Sequence, residues 1–191
     1  KVVGPSSFAW HLDQAHSDLA RARNEVAFAA PRTRVAHIDT GYHRGHETVP
    51  VNILRSLEKS FVDGETNSGS AEDPDRRVLL LDNSGHGTGT IGILAGAASS
   101  THRGGPVGGA PDADVLPLRV ADRVVLLRTS ALARAFKYAV EQQCDVITLS
   151  MSGGPIVTLA EAGGIEEATM QLAPRWTSVA TPVLLLFLVG I

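Results

Sequence analysis

A chain of 191 residues fits one domain at the usual ~100–200 residues each, and 43% hydrophobic with 19% charged residues excludes a disordered chain. Lys plus Arg number 17 against 20 Asp plus Glu, a net charge of −3. That balance excludes a whole-protein field for nucleic acid or an anionic membrane, so neither is expected as a partner. The single cysteine, Cys144, excludes an internal disulfide and any multi-cysteine zinc site.

The chain opens on Lys1 without a basic-then-apolar export signal, which leaves open a cytosolic chain, a processed one or a piece of a longer one. His11 to Ala30 carries Leu12, Ala15, Leu19, Ala22, Val26 and Ala29 at helical spacing, and Pro31 stops it; a helix is expected there. Residues 1–33 then form a helical extension of the domain that fills 34–191. Arg34 to Asp39 reads as a short strand running into Thr40-Gly41, and Ile53 to Val62 is open between helix and strand. Asp63 to Arg77 is acidic, Gly/Ser-rich and aperiodic, hence a surface loop. Val78 to Leu81 is a brief apolar run of strand character.

His86 to Ala98 is small and apolar, a helix that could be buried all round. His102 to Pro111 is a Gly/Pro loop. Ala113 to Val120 is strand-like, and Ser130 to Gln142 is an amphipathic helix with Leu132, Ala135, Phe136, Ala139 and Val140 inward. Asp145 to Met151 is another strand, Val157 to Leu172 a weaker helix broken by Gly163-Gly164, and Val183 to Ile191 a last, buried strand. That final run is far short of the ~20 residues that cross a bilayer. Alternating strands and helices predict an α/β fold, three-layer α/β/α with a parallel sheet. Ligands of such sheets bind at the carboxyl ends of the strands, where Asp39 and the Ser150 region fall.

Three segments carry chemistry. Val35-Ala36-His37-Ile38-Asp39-Thr40-Gly41 ends a strand with a carboxylate. Asn83-Ser84-Gly85-His86-Gly87-Thr88 puts an imidazole in the first turn of a small-residue helix. Asp145-Val146-Ile147-Thr148-Leu149-Ser150-Met151-Ser152-Gly153-Gly154-Pro155 ends a strand in a Gly-rich bend. In this order the set resembles the subtilisin-like serine proteases, the subtilases of peptidase family S8. The run Gly108-Gly109-Ala110-Pro111-Asp112-Ala113-Asp114-Val115-Leu116-Pro117-Leu118-Arg119-Val120 resembles the segment that follows their histidine helix. The resemblance covers about residues 34–155.

It implies a serine endopeptidase fold in which His86 is the general base and Asp39 the carboxylate that orients it. A serine hydroxyl is too weak an acid to attack an amide unaided, so a neutral imidazole must take its proton. The imidazole in turn needs a fixed tautomer and a partner for its developing charge, which a buried carboxylate supplies. His86 lies at a helix N-terminus, where the dipole disfavours imidazolium, so Asp39 must offset that cost. The resemblance places Ser150, Met151 and Ser152 on the substrate-binding strand, where an extended peptide pairs with the backbone. Gly153 and Gly154 keep the adjoining pocket free of side chains, although Ser152 stands where the family usually has Gly. His46 fits the family's loop after Asp-Thr-Gly, whereas Glu47 replaces the usual proline.

The family's nucleophile segment, Gly-Thr-Ser-x-Ala, and the later oxyanion Asn do not occur in the 191 residues. The expectation is a partial catalytic domain lacking its C-terminal part, inactive alone, with a shift of reading frame within 156–191 left open. The part that would cover Val183–Ile191 and the His86 helix would then be absent, exposing apolar surface. Arg128-Thr129-Ser130-Ala131-Leu132-Ala133 mimics the nucleophile motif, but Thr129 or Ser130 is better explained as an N-cap. His43, His46 and Glu47 read as a solvated loop rather than metal ligands, and Cys144 as a small core residue. No cofactor is assigned; the resemblance implies structural calcium without a ligand set, and favours export.

Two other readings compete. Gly87-Thr88-Gly89-Thr90-Ile91-Gly92 is a literal G-x-G-x-x-G opening a helix, as in dinucleotide-binding domains. Against it, Asp82 to His86 separates the first glycine from the preceding apolar run, and Asp112 and Asp114 precede the next strand rather than end it. The other alternative is a non-catalytic subtilase relic that binds peptides.

Overall fold

The computed structural model describes residues 9–25, 32–64, 68–74, 85–100, 105–122, 125–126 and 130–153. The strand expected at 78–81, the helix expected at 157–172 and the strand expected at 183–191, along with Gly154, lie outside them. The strands are β1 (Arg34–Asp39), β2 (Lys59–Ser60), β3 (Asp114–Arg119), β4 (Val125–Leu126), β5 (Val146–Leu149) and β6 (Ser152–Gly153). The helices are α1 (Leu19–Glu25), α2 (His86–Ala95) and α3 (Ser130–Glu141).

Four strands form a parallel sheet in the order β2-β3-β1-β5. Residues 34–39 of β1 pair with 114–119 of β3, and its other edge pairs Val35 to Ile38 with Val146 to Leu149. The chain moves from β1 to β3 through α2, then back across β1 to β5 through α3. Crossovers of one hand in opposite directions must lie on opposite faces of the sheet, and the packing follows that rule. Ala36, Ile38, Leu116 and Leu118 meet Ala131, Leu132, Ala135, Phe136 and Ala139 of α3. Val35 and Val115 meet Ile91 and Ala95 of α2. Strand periodicity therefore sends His37 and Asp39, with Val35, towards the α2 face. A fully buried Phe136 or Ile38 contributes about 1.5–3 kcal/mol each.

The α/β architecture and the β1, β3, β5 and α3 assignments agree with the sequence reading, and Cys144 is buried in the α3 cluster. Val140 is only partly buried. Several expectations are corrected. The helix expected over His11–Ala30 is broken within its described part. A single 3-10 turn, Trp10–Leu12, is separated from α1 by a bend in which Asp18 takes a φ of 56°. Asp13 draws the chain into that bend by accepting from Ala15 N–H and from the backbone-proximal ring nitrogen of His16. This competition from a short acidic side chain overrides helical periodicity. The segment docks through buried Leu12 and through His11 and Arg23, which reach the carbonyls of Val107 and Gly108 at 3.1 and 2.9 Å.

Helix α2 stops at Ala95 rather than Ala98 and is not buried all round: Ile93 is 64% exposed, while Gly87, Ile91, Gly92 and Ala95 are covered. Residues 53–62, left open between helix and strand, hold neither a helix nor a long strand: Ile53 bridges Val115, a turn spans 55–57, and β2 pairs at the edge of β3. The stretch read as a surface loop holds a buried anchor. Ala71 is fully buried, its carbonyl accepts from Tyr42 N–H at 3.1 Å, and Tyr42 bridges Glu72. A strand at Val125–Leu126 was not expected; it pairs in parallel with Ser152–Gly153 as a second, two-stranded sheet.

Candidate active site

The carboxyl end of β1 delivers Asp39 to the α2 face of the sheet. The chain then turns at Gly41, whose φ of 103° suits glycine and where a Cβ would meet Ala71 O and Arg119 Cδ, both at 2.8 Å. Helix α2 begins at His86 after Gly85, itself at φ 82°. The two segments approach so closely that a Cβ on Gly87 would lie 2.0 Å from Gly41 O and 3.1 Å from Asp39 Oδ1. Gly87 N–H donates to Thr40 Oγ1 at 3.2 Å, and Gly85 N–H to Asp73 Oδ2 at 3.1 Å. Small residues at the helix start therefore serve contact between helix and strand.

That contact brings His86 Nδ1 to 2.7 Å from Asp39 Oδ1. A carboxylate only accepts, so Nδ1 carries a proton, and in the neutral ring Nε2 then holds the lone pair. The Asp39 side chain is 1% exposed and that of His86 26% exposed, which buries the carboxylate and leaves the imidazole reachable. Asp39 is compensated from three more positions. Thr40 N–H donates to Oδ1 at 2.7 Å, Thr40 Oγ1 lies 3.3 Å from the same oxygen, and Thr90 Oγ1 donates to Oδ2 at 2.9 Å. A buried carboxylate needs such donors to remain ionised. From β3, Arg119 is buried and donates through Nε to Thr40 O at 2.8 Å, and its guanidinium also pairs with Asp122. Behind the carboxylate, buried His37 places Nε2 at 2.9 Å from Thr90 Oγ1 and 3.8 Å from Asp39 Oδ2. Burial pushes His37 down from 6.5 to about 4, His86 adding to the depression and Asp39 opposing it, so its ring is neutral at neutral pH.

Asp39 and His86, 47 positions apart in sequence, are thus brought together. The Ser150 segment reaches the same end of the sheet, because Ile38 pairs with Leu149 and Ser150 leaves β5 level with Asp39. Ser150 is exposed, Met151 half-buried, and Ser152 and Gly153 lie in β6. Ser130 opens α3, which packs on the sheet face opposite α2.

Thr40, Thr90 and His37 were not singled out in the sequence. Their spacing held a signal: Thr90 is four residues after His86 on one helix face, and His37 two residues before Asp39 on one strand face. The first glycine of the G-x-G-x-x-G run is accounted for otherwise. Gly87 seats the helix on Gly41, and the carboxylate of Asp39 at this helix start opposes a pyrophosphate.

Of the three loop residues considered as metal ligands, His46 Nδ1 lies 3.0 Å from Thr48 Oγ1. Glu47 accepts from Ser99 Oγ at 2.8 Å and from the Ser100 N–H and hydroxyl at 3.1 and 2.8 Å. These bonds, Ser100 foremost, hold the Glu47 carboxyl below the usual carboxylate range. Among the described residues no three His, Cys, Asp or Glu side chains converge as a metal site.

The chain is similar to known serine proteases in sequence and in fold. The chain is 30% identical over 122 residues to the intracellular serine protease of Paenibacillus polymyxa, covering 64% of this chain and 33% of that protein. It is 29% identical over 120 residues to thermitase of Thermoactinomyces vulgaris, covering 63% and 37%. The chain therefore spans about a third of the length of these relatives. In fold it is similar to the epidermin leader peptide processing serine protease of Staphylococcus aureus, with a TM-score of 0.57 at 16% identity over 88% of this chain and 40% of that one. The model of the Subtilase family matches residues 31–183, most of the 191, and the chain belongs to that family of serine proteases.

Proposed function

We propose that Asp39 and His86 are the orienting carboxylate and the general base of a serine endopeptidase centre, acting on peptide or protein substrates. The observation that carries this reading is the 2.7 Å bond between His86 Nδ1 and buried Asp39 Oδ1, with the imidazole left partly exposed. In that arrangement His86 Nε2 accepts the proton of an attacking serine hydroxyl. Asp39 stabilises the imidazolium that forms, and the same proton passes to the leaving amine as the acyl-enzyme appears. The segment Ser150 to Gly153 is the edge on which an extended peptide would lie, its backbone pairing with the substrate on the acyl side of the scissile bond. Residues 1–33 are read as part of the same domain as 34–191, docked through Leu12, His11 and Arg23.

The hydroxyl nucleophile is the member of the triad with no position in this reading, since no Gly-Thr-Ser-x-Ala segment occurs in the 191 residues. The 191-residue chain alone is therefore expected to resist fluorophosphonate labelling, and a label on Ser130 would reassign the nucleophile. In a longer protease that contains this chain, His86→Ala should lower kcat about 10⁶-fold and Asp39→Asn about 10⁴-fold, the scale measured for subtilisin. Peptide hydrolysis that survives both substitutions rules the assignment out.

A further inference from the structure

The proposed centre uses one histidine, yet a second, His37, is buried directly behind the carboxylate. Its side chain is 5% exposed and that of Asp39 1%. Among the described residues, its Nε2 has Thr90 Oγ1 as its hydrogen-bond partner, at 2.9 Å. Thr90 has one hydroxyl proton and several acceptors around it: Asp39 Oδ2 at 2.9 Å, and the carbonyls of His86 and Gly87, each at 3.3 Å. The ionised oxygen is both the nearest and the strongest of these, so it takes the proton. The hydroxyl oxygen is then free to accept, and His37 must supply the donor. The electrostatics agree, because a neutral ring places an N–H rather than a lone pair towards a carboxylate 3.8 Å away.

We propose that Thr90 and His37 form a buried positioning relay for Asp39, in which His37 Nε2–H donates to Thr90 Oγ1 and Thr90 donates to Asp39 Oδ2, so that Oδ1 stays turned to His86. The inference rests on the reading of Asp39 and His86 as an orienting carboxylate and its base. Its physical logic is geometric. A carboxylate held only at Oδ1, by Thr40 N–H and His86, is free to rotate about its own axis. A donor on Oδ2 removes that rotation, and a donor behind the hydroxyl stops it from turning to the backbone carbonyls of its own helix. His37 and Thr90 are positioning residues, since neither lies between Asp39 and the exposed edge of His86. The titratable and charged groups around Asp39 are His86 from α2, the neutral His37 from β1 and Arg119 from β3, the last engaged by Thr40 O and Asp122.

The test is proton NMR of the nitrogen-15-labelled 191-residue chain, reading the tautomer of His86 and the solvent exchange of its Nδ1–H. Thr90→Val, which keeps the shape and removes the hydroxyl, should speed that exchange about ten- to a hundredfold, the range a hydrogen bond to a charged group supports. Thr90→Ser should stay near wild type. His37→Leu should act as Thr90→Val does, His37→Gln should restore slow exchange through its amide N–H, and His37→Leu should add nothing once Thr90 is Val. If Thr90→Val and Thr90→Ser behave alike while Asp39→Asn abolishes the Nδ1–H signal, the relay is overturned and the pair stands. If Asp39→Asn leaves the signal in place, the pair itself fails. Should Thr90→Val not fold, the contrast between His37→Leu and His37→Gln decides the matter alone, equal behaviour counting against the relay.

Discussion

Replacing Gly87 by alanine tests the contact on which the site depends. A Cβ there lies 2.0 Å from Gly41 O, and reaching even 3.4 Å, the near edge of ordinary contact, requires helix and strand end to part by about 1.4 Å. Taken up along the His86–Asp39 direction, that shift stretches the 2.7 Å bond to about 4 Å, beyond hydrogen-bond reach. Alanine is favoured over glycine within a helix by about 1 kcal/mol, whereas overpacking costs about 1–3 kcal/mol. Gly89 is the internal control, because nothing lies within 4 Å of a Cβ built on it, so Gly89→Ala keeps the propensity gain alone. Urea melts should therefore separate the two variants by about 1–3 kcal/mol, with Gly87→Ala the less stable. The His86 Nδ1–H resonance should persist in Gly89→Ala and disappear in Gly87→Ala. Equal stabilities, with that resonance intact in both, would refute the close-approach account of the small-residue helix start.

Three further outcomes follow from the same geometry. The folded chain holds His37 at about 4, below the ~6.5 of an unfolded histidine, so stability is full above 6.5 and falls by about 3 kcal/mol as the pH drops towards 4. Chemical melts at pH 7 and pH 4.5 should show a steeper acid loss for wild type than for His37→Leu, and parallel losses would contradict the buried neutral ring. Phe136→Ala, at a site 1% exposed in the core between α3 and the sheet, should cost about 3–5 kcal/mol, measured by the same melts; a change below 1 kcal/mol would show that α3 is not packed there. Asp39→Asn should move the His86 proton from Nδ1 to Nε2, because an amide N–H turned to the ring donates where the carboxylate accepted. Nitrogen-15 shifts of the ring read this directly, and an unchanged tautomer would remove Asp39 as its cause.

Much of the architecture is local information. The α3 stripe of Leu132, Ala135, Phe136 and Ala139 and the apolar runs of β1, β3 and β5 carry their periodicity within a dozen residues, and they form as read. Asp39 and His86 were legible because their segments, taken in order with the two downstream ones, resemble those of the subtilases; either segment alone reads as a turn or a helix cap. Where the reading failed, a distant or competing partner decided. Asp13 diverts the chain between Trp10–Leu12 and α1. Ala71 is buried because Tyr42 accepts it as a neighbour, and Val125–Leu126 is a strand because Ser152–Gly153 pairs with it.

The sequence by itself determined which residue types stand at the ends of the strands and helices, hence the α/β class, and its resemblance to the subtilases supplied the candidate carboxylate and base. Only the tertiary structure decided that Gly87 lets those two ends touch, that the carboxylate is buried while the imidazole is not, and that His37 and Thr90 stand behind it. Periodicity tells which way a side chain points along its own element. The distance between side chains on different elements is set by how closely their backbones approach, and that depends on residues far apart in the chain.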